Sequence, residues 1–251
     1  MKITEHIGTL AAEGRLLADA AEEAGTGAPV PTCPGWQVRD LLRHTAMVHT
    51  WAAAFVTEGH TSYVPDAGEP DLDGPELLAR FRDGHRHLVE ALENAPQDLD
   101  CWAFFPAPSP LAFWARRQAH ETTVHRVDAQ SARGGAPSPV APAHALDGID
   151  ELLRCFHARP KSRVRTEVPR SLRVRATDTG TVWTVRLSPE PPAAVREEAP
   201  AVEQPADCEL SAPAETLYLS LWNRLPLTSL TVTGDPDLAR LWRENSAVTW
   251  S

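Results

Sequence analysis

A change of hydrophobic period near the middle of the chain constrains the fold more than any other feature. Up to about residue 133, apolar residues recur at helical spacing in four segments of roughly 20 residues, while from about residue 143 short stretches alternate apolar with polar. A first helix is expected from about Thr4 to Ala24, with Ile7, Leu10, Leu17 and Ala21 on one side and Gly25-Thr26-Gly27-Ala28-Pro29 ending it. A second runs from about Trp36 to Glu58, opened by Pro34-Gly35, and a third from Gly74-Pro75 to about Asn94. The fourth runs from Pro110 to about Arg133. Four such helices suggest a bundle over residues 1–133, an architecture that builds cofactor sites from facing helices.

Residues 134–142, Gly-Gly-Ala-Pro-Ser-Pro-Val-Ala-Pro, read as a linker by composition. In residues 143–251, Leu146 to Phe156 reads as a helix, and Val164 to Val168, Leu172 to Ala176 and Val182 to Leu187 as strands. Thr177-Asp178-Thr179-Gly180 gives a hairpin signal between the last two. Cys208-Glu209-Leu210 suggests a short strand and Pro213 to Asn223 a helix; Leu230-Thr231-Val232 then precedes a turn at Gly234-Asp235-Pro236 and a last helix to about Glu244. The expected class is therefore α+β in two domains.

Composition excludes several functions. A net charge of −10 argues against non-specific nucleic-acid binding, which needs a basic footprint. No apolar run approaches the ~18 residues of a membrane span, and no signal-peptide pattern opens the chain, so a cytoplasmic location is expected. Cys33, Cys101, Cys155 and Cys208 are scattered without a C-x-x-C, which indicates neither a disulfide framework nor a cysteine zinc site.

The chemistry is concentrated in the fourth helix. At about 100° per residue, Trp114, Gln118, Glu121, His125 and Asp128 fall along one line that is polar where a core helix should be apolar. Glu121 and His125, at i and i+4, can converge on one point as metal ligands; the same spacing also suits a solvated face or a buried Glu–His hydrogen bond. His120 and His125 are five apart, about 140° around the helix, so H-E-x-x-H zinc chemistry does not apply. His120 is expected to face solvent with Thr123 and Arg126.

A site with an open position needs a third ligand. On the second helix, His44 shares its face with Leu41, Val48, Trp51 and Phe55, whereas His49 lies on a weaker apolar surface with Val38, Leu42 and Thr45. His44 is the better inward-facing candidate, against the plain alternative of a satisfied core histidine. His6, His60, His85, His87, His144 and His157 belong to no such stripe and read as ordinary residues.

Two stretches of the first half carry a resemblance. Thr32-Cys33-Pro34-Gly35-Trp36-Gln37-Val38-Arg39-Asp40-Leu41-Leu42-Arg43-His44 and the helix-four run Phe113 to Ala129 resemble the mycothiol-dependent maleylpyruvate isomerase family, whose N-terminal half is a DinB-like four-helix bundle. Leu217 to Pro226, followed by Val232-Thr233-Gly234-Asp235-Pro236, is similar to its C-terminal domain, with Asn223 where the family's W-G-R pattern has glycine. The resemblance is weakest from about Pro189 to Pro205. It implies that His44, Glu121 and His125 bind a divalent metal and that the thiol is mycothiol. Zinc is the expected ion, with nickel and iron accepting the same donors.

Two neutral imidazoles and one carboxylate leave a +1 site with an open position, which lowers the pKa of a bound water or thiol. A thiolate formed there could add to an activated double bond and leave after rotation, or stay attached, giving an isomerase or an S-transferase acting on a small-molecule electrophile. A hydrolase that activates water, or a non-enzymatic metal-binding module, would use the same ligands. Asp128 is placed either to orient the His125 ring or as a solvated residue near the helix end. Arg224 is either a carboxylate anchor for substrate or thiol or part of a salt bridge within the second domain. Cys33 reads as structural, with no His or Asp partner implied. The oligomeric state stays open.

Overall fold

The structure is a computed structural model that describes residues 1–198 and 205–248. It has the two-domain α+β architecture expected from the sequence, divided into two compact units, Met1–Ser138 and Pro139–Ser251. No helix among the described residues is long and apolar enough to cross a membrane.

The first unit contains α1 (Ile3–Ala24), α2 (Val38–Glu58), α3 (Gly74–Asn94) and α4 (Pro110–Arg133). Their ends follow from local chemistry. The Ser109 hydroxyl accepts from Ala112 N–H at 3.1 Å to open α4, with Pro110 in its first turn. The Asp40 carboxylate accepts from Gln37 N–H at 2.8 Å to open α2, and Gly59 closes that helix in the left-handed conformation. Leu17, Leu41, Leu42, Leu77 and Phe81 fill the core between helices. Trp114 belongs to an aromatic cluster: it stacks on Phe55 at 5.1 Å, meets Trp51 edge-on at 5.4 Å, and donates its Nε1–H to Trp102 O.

One glycine sets how closely α1 and α3 approach. A Cβ at Gly14 would lie 2.2–2.6 Å from the His85 ring, and His85 Nε2–H donates to Leu10 O at 2.9 Å. Gly14→Ala is therefore expected to cost about 1–3 kcal/mol by overpacking, outweighing the ~1 kcal/mol that alanine gains in a helix. Gly8→Ala on the same helix meets nothing within 4 Å and should be neutral or stabilising. Denaturant melts of both variants check this, and a Gly14→Ala protein as stable as wild type would contradict it.

The second unit has α5 (Pro142–Glu151) running into a π-helical turn (Leu152–Phe156), then β1 (Arg170–Ala176), β2 (Thr181–Leu187), β3 (Ala193–Glu198), β4 (Cys208–Ala212), α6 (Ala214–Leu221), β5 (Thr231–Gly234) and α7 (Pro236–Asn245). The sheet order is β3-β2-β1-β4-β5, with β1 and β4 parallel and the other pairs antiparallel. Leu172, Val174 and Ala176 of β1 register with Cys208, Leu210 and Ala212 of β4 to make a buried apolar face. On the other face Arg173 and Arg175 pair with Glu209 at 3.3 and 3.0 Å.

Two strand expectations need correction. Val164 to Val168 forms no strand; Thr166 N–H reaches Ser188 O at 3.1 Å, but the stretch forms no ladder. β3 and β5, the two edge strands, are absent from the sequence reading, and part of the weakly resembling span, residues 199–204, lies outside the described residues. The linker is tied at both ends. Gln130 Oε1 accepts from Ser138 N–H at 2.8 Å, Arg126 donates to Ser138 O, and Glu215 Oε1 accepts from Val140 N–H at 2.8 Å.

The two family-like patterns of this unit have structural causes. Asn223 has φ of +65°, a left-handed conformation that glycine adopts freely and asparagine tolerates best among other residues. At Gly234, with φ of +81°, a Cβ would lie 2.3 Å from Asp207 O. The neighbouring Asp235 caps α7 by accepting from Asp237 N–H at 2.9 Å and holds Arg170 at 2.6 Å.

Candidate metal centre

The site is built on α4, which is buried on nearly all sides from Leu111 to Gln130. Glu121 Oε1 lies 3.2 Å from His125 Nε2 on the same helix and 3.3 Å from His44 Nε2 on α2. The three residues are between 4% and 8% exposed. Their donor atoms lie within 4.8 Å of one another, a grouping able to hold a metal ion.

Each donor is oriented by a further contact. His125 Nδ1–H donates to Asp128 Oδ2 at 2.9 Å, which leaves Nε2 as the lone-pair nitrogen of a neutral ring. That lone pair faces the Glu121 oxygen, so a cation must sit between them, either a proton on the imidazole or a metal ion. The donor set therefore fits a divalent cation. Arg117 Nη2 donates to the other Glu121 oxygen at 3.2 Å, one buried side chain against another. Burial alone would raise the Glu121 pKa, but hydrogen bonds from His125 and His44, with the charges of His125 and Arg117, hold it well below the carboxylate range. Burial alone would lower the His125 pKa, and the hydrogen bonds to Asp128 and Glu121 overcome it and raise it.

The loop before α2 closes over these residues. Thr32 Oγ1–H donates to Asp128 Oδ1 at 2.6 Å, and Cys33 Sγ lies 3.4 Å from Asp128 Oδ2. The half-buried Trp36 ring stacks on His125 at 6.3 Å with 16° between planes, and lies 5.3 Å from His44. Cys33 thus has an aspartate partner that the sequence did not suggest, and Asp128 is wholly buried rather than solvated.

His120, Thr123 and Arg126 were expected at the solvent face, and all three are buried. The reason is that α1 packs on that side of α4: the His6 and His120 rings are 5.9 Å apart, and Arg126 Nε binds Glu13 Oε2 at 2.6 Å. His49, placed on a weaker surface, is fully buried instead. Its Nε2 meets Thr122 Oγ1 at 2.9 Å, and burial, then the nearby His85, lowers its pKa to about 3, so it is neutral. His6, His85, His144 and His157 are buried as well. Arg224 stands in the second unit, half-buried at the turn after α6, where its Nη1 donates to Trp222 O at 2.8 Å. Arg243 of α7 fastens this turn through Ser220 O and Leu225 O at 3.0 and 2.9 Å.

Arg117, Thr32 and Trp36 are site residues that the sequence reading did not assign. The i, i+4 spacing of Arg117 and Glu121 was a usable signal.

Two family models match the chain. The family model described as the mycothiol maleylpyruvate isomerase N-terminal domain matches residues 7–130, and the model described as the MDMPI C-terminal domain matches residues 143–241. Among curated proteins none matches. Among solved structures, a histidine-to-alanine mutant of the mycothiol-dependent maleylpyruvate isomerase is similar at 11% identity, with 93% of each chain covered and a TM-score of 0.65. A second structure of that isomerase is similar at 12% identity, with 93% of each chain covered and a TM-score of 0.63. At such identities the structures speak for a shared fold. With both family models matched in order along most of its length, the chain belongs to the mycothiol-dependent maleylpyruvate isomerase family.

Proposed function

We propose that the protein is a metal-dependent enzyme that takes mycothiol as cosubstrate and isomerises a small electrophile with an activated double bond. His44, Glu121 and His125 would hold the metal. The observation that carries this reading is the convergence of two imidazole Nε2 atoms on one carboxylate oxygen, at 3.3 and 3.2 Å, in a buried site. The named activity of the structurally similar isomerases supports the thiol and the reaction class.

A divalent cation there, zinc by expectation, would supply Lewis acidity that favours a thiolate near neutral pH, where a free thiol of pKa about 8.5 is mostly protonated. The chain's own residues do the rest. Asp128 keeps the His125 proton on Nδ1, so that Nε2 faces the site as a donor. Arg117 balances the Glu121 oxygen turned away from the site. Trp36 packs its ring beside both histidines. Arg224 would pair with a carboxylate on the substrate or thiol.

Binding of mycothiol to the metal-loaded protein is expected to release about one proton per site near pH 7, measured by calorimetry in buffers of different ionisation enthalpy. Arg224→Ala should weaken thiol or substrate binding and leave metal content unchanged. Maleylpyruvate, the substrate named for the similar structures, is the first electrophile to test. Thiol binding without proton release would count against thiolate activation and favour activation of water.

A further inference from the structure

The second unit carries a cavity of about 350 Å³ that the proposed reaction does not use, within the ~300–1,000 Å³ of small-molecule sites. The cavity lies beside the end of the π-helical turn Leu152–Phe156, and π-helical turns recur at functional positions. Phe156 and Val248 give it apolar wall, and Arg159, Lys161 and Arg163 line it. None of its lining residues is Asp or Glu, in a chain whose net charge is −10. Positive charge gathered against the overall composition, around a concave site rather than on a flat face, suits a small anion better than an extended polymer.

A second observation points the same way. His157 also lines the cavity and is 4% exposed. Its Nδ1 lies 3.1 Å from Ser162 Oγ, which accepts from Val164 N–H at 3.4 Å. The pairing in which the hydroxyl then donates to Nδ1 leaves Nε2 as the N–H of a neutral ring. Among the described residues this buried Nε2 has no hydrogen-bond partner, and a buried donor left unmet costs about 1–3 kcal/mol. Burial first, then the charges of Arg159 and Arg165, lowers the His157 pKa to about 4, so the ring stays neutral. Such a donor, set among guanidinium groups, matches one oxygen of an oxyanion whose other oxygens bind the arginines.

We propose that this cavity binds a small organic oxyanion with two or more negative charges, a dicarboxylate or a phosphate monoester, its carbon portion against Phe156 and Val248. The test uses the whole chain carrying both His44→Ala and Arg224→Ala, stripped of metal, so that anions report neither on the proposed metal site nor on its carboxylate anchor. Phenyl phosphate, succinate and inorganic phosphate are titrated by calorimetry at constant ionic strength. Saturable binding of phenyl phosphate or succinate, one per chain, is expected. Arg163→Ala, which changes an exposed side chain and so spares the fold, should weaken it at least tenfold, and His157→Phe several-fold. Arg240→Ala, on the exposed face of α7, should leave it unchanged. The absence of saturable binding, an Arg163→Ala affinity within twofold of the parent, or inorganic phosphate binding as tightly as either organic anion would overturn the proposal.

Discussion

Glu121→Gln is expected to abolish metal binding and to destabilise the first unit by several kcal/mol even without metal. The Glu121 carboxylate serves two sides, with Oε1 toward His44 and His125 and Oε2 toward Arg117. A neutral amide is a poor ligand, so the metal loses its only anionic donor in the proposed set. The amide also removes the negative charge that faces Arg117, and both side chains are buried, at 5% and 1% exposure. Breaking one half of a buried ion pair costs roughly 3–5 kcal/mol, because the other charge stays in the interior. His125→Ala should lose the metal with a different stability pattern, since it leaves the Arg117–Glu121 pair intact. Urea unfolding of the metal-free proteins separates the two effects. A Glu121→Gln protein that binds metal and unfolds like wild type would contradict both.

Asp128→Asn should lower metal affinity about 10–100-fold, the usual cost of losing the partner that orients a ligand histidine, while the helices remain folded. The Asp128 carboxylate takes the His125 Nδ1 proton, the Thr32 hydroxyl at 2.6 Å and the Cys33 thiol at 3.4 Å. An asparagine has one acceptor oxygen for these three donors. If its amide nitrogen faces His125, the ring proton moves to Nε2 and blocks the donor atom. Competition with a chelator of known affinity measures the change, and circular dichroism checks the fold. Asp128→Asn affinity within twofold of wild type would remove Asp128 from the site's working parts.

Much of this site was legible because its elements are local. Glu121, His125 and Asp128 are one turn apart on a single helix, and His44 sits on an apolar stripe that the helical wheel exposes. The bounds of α3 and α4 were legible for the same reason, since Gly74-Pro75 and Ser109-Pro110 are start signals read without tertiary information. His120 was misplaced because the wheel assumes one buried face, whereas α4 is enclosed on several. Its polar residues find partners inside, as Arg126 does with Glu13. Cys33 reaches Asp128 across 95 positions of sequence, and Thr32 and Trp36 likewise join the site from a loop, so no periodicity reveals them. The edge strand β3, Ala-Ala-Val-Arg-Glu-Glu, is held by its ladder to β2 and has little apolar alternation to read.

The central claim is that His44, Glu121 and His125 together hold a divalent metal. Elemental analysis of purified protein, reconstituted with zinc and freed of excess by gel filtration, tests it most directly. About one metal per chain is predicted for wild type and for His120→Ala, whose ring is buried outside the trio. Less than a tenth of that is predicted for His44→Ala, Glu121→Ala and His125→Ala. Full metal content in the Glu121 and His125 variants, or in none of the proteins, would contradict the account.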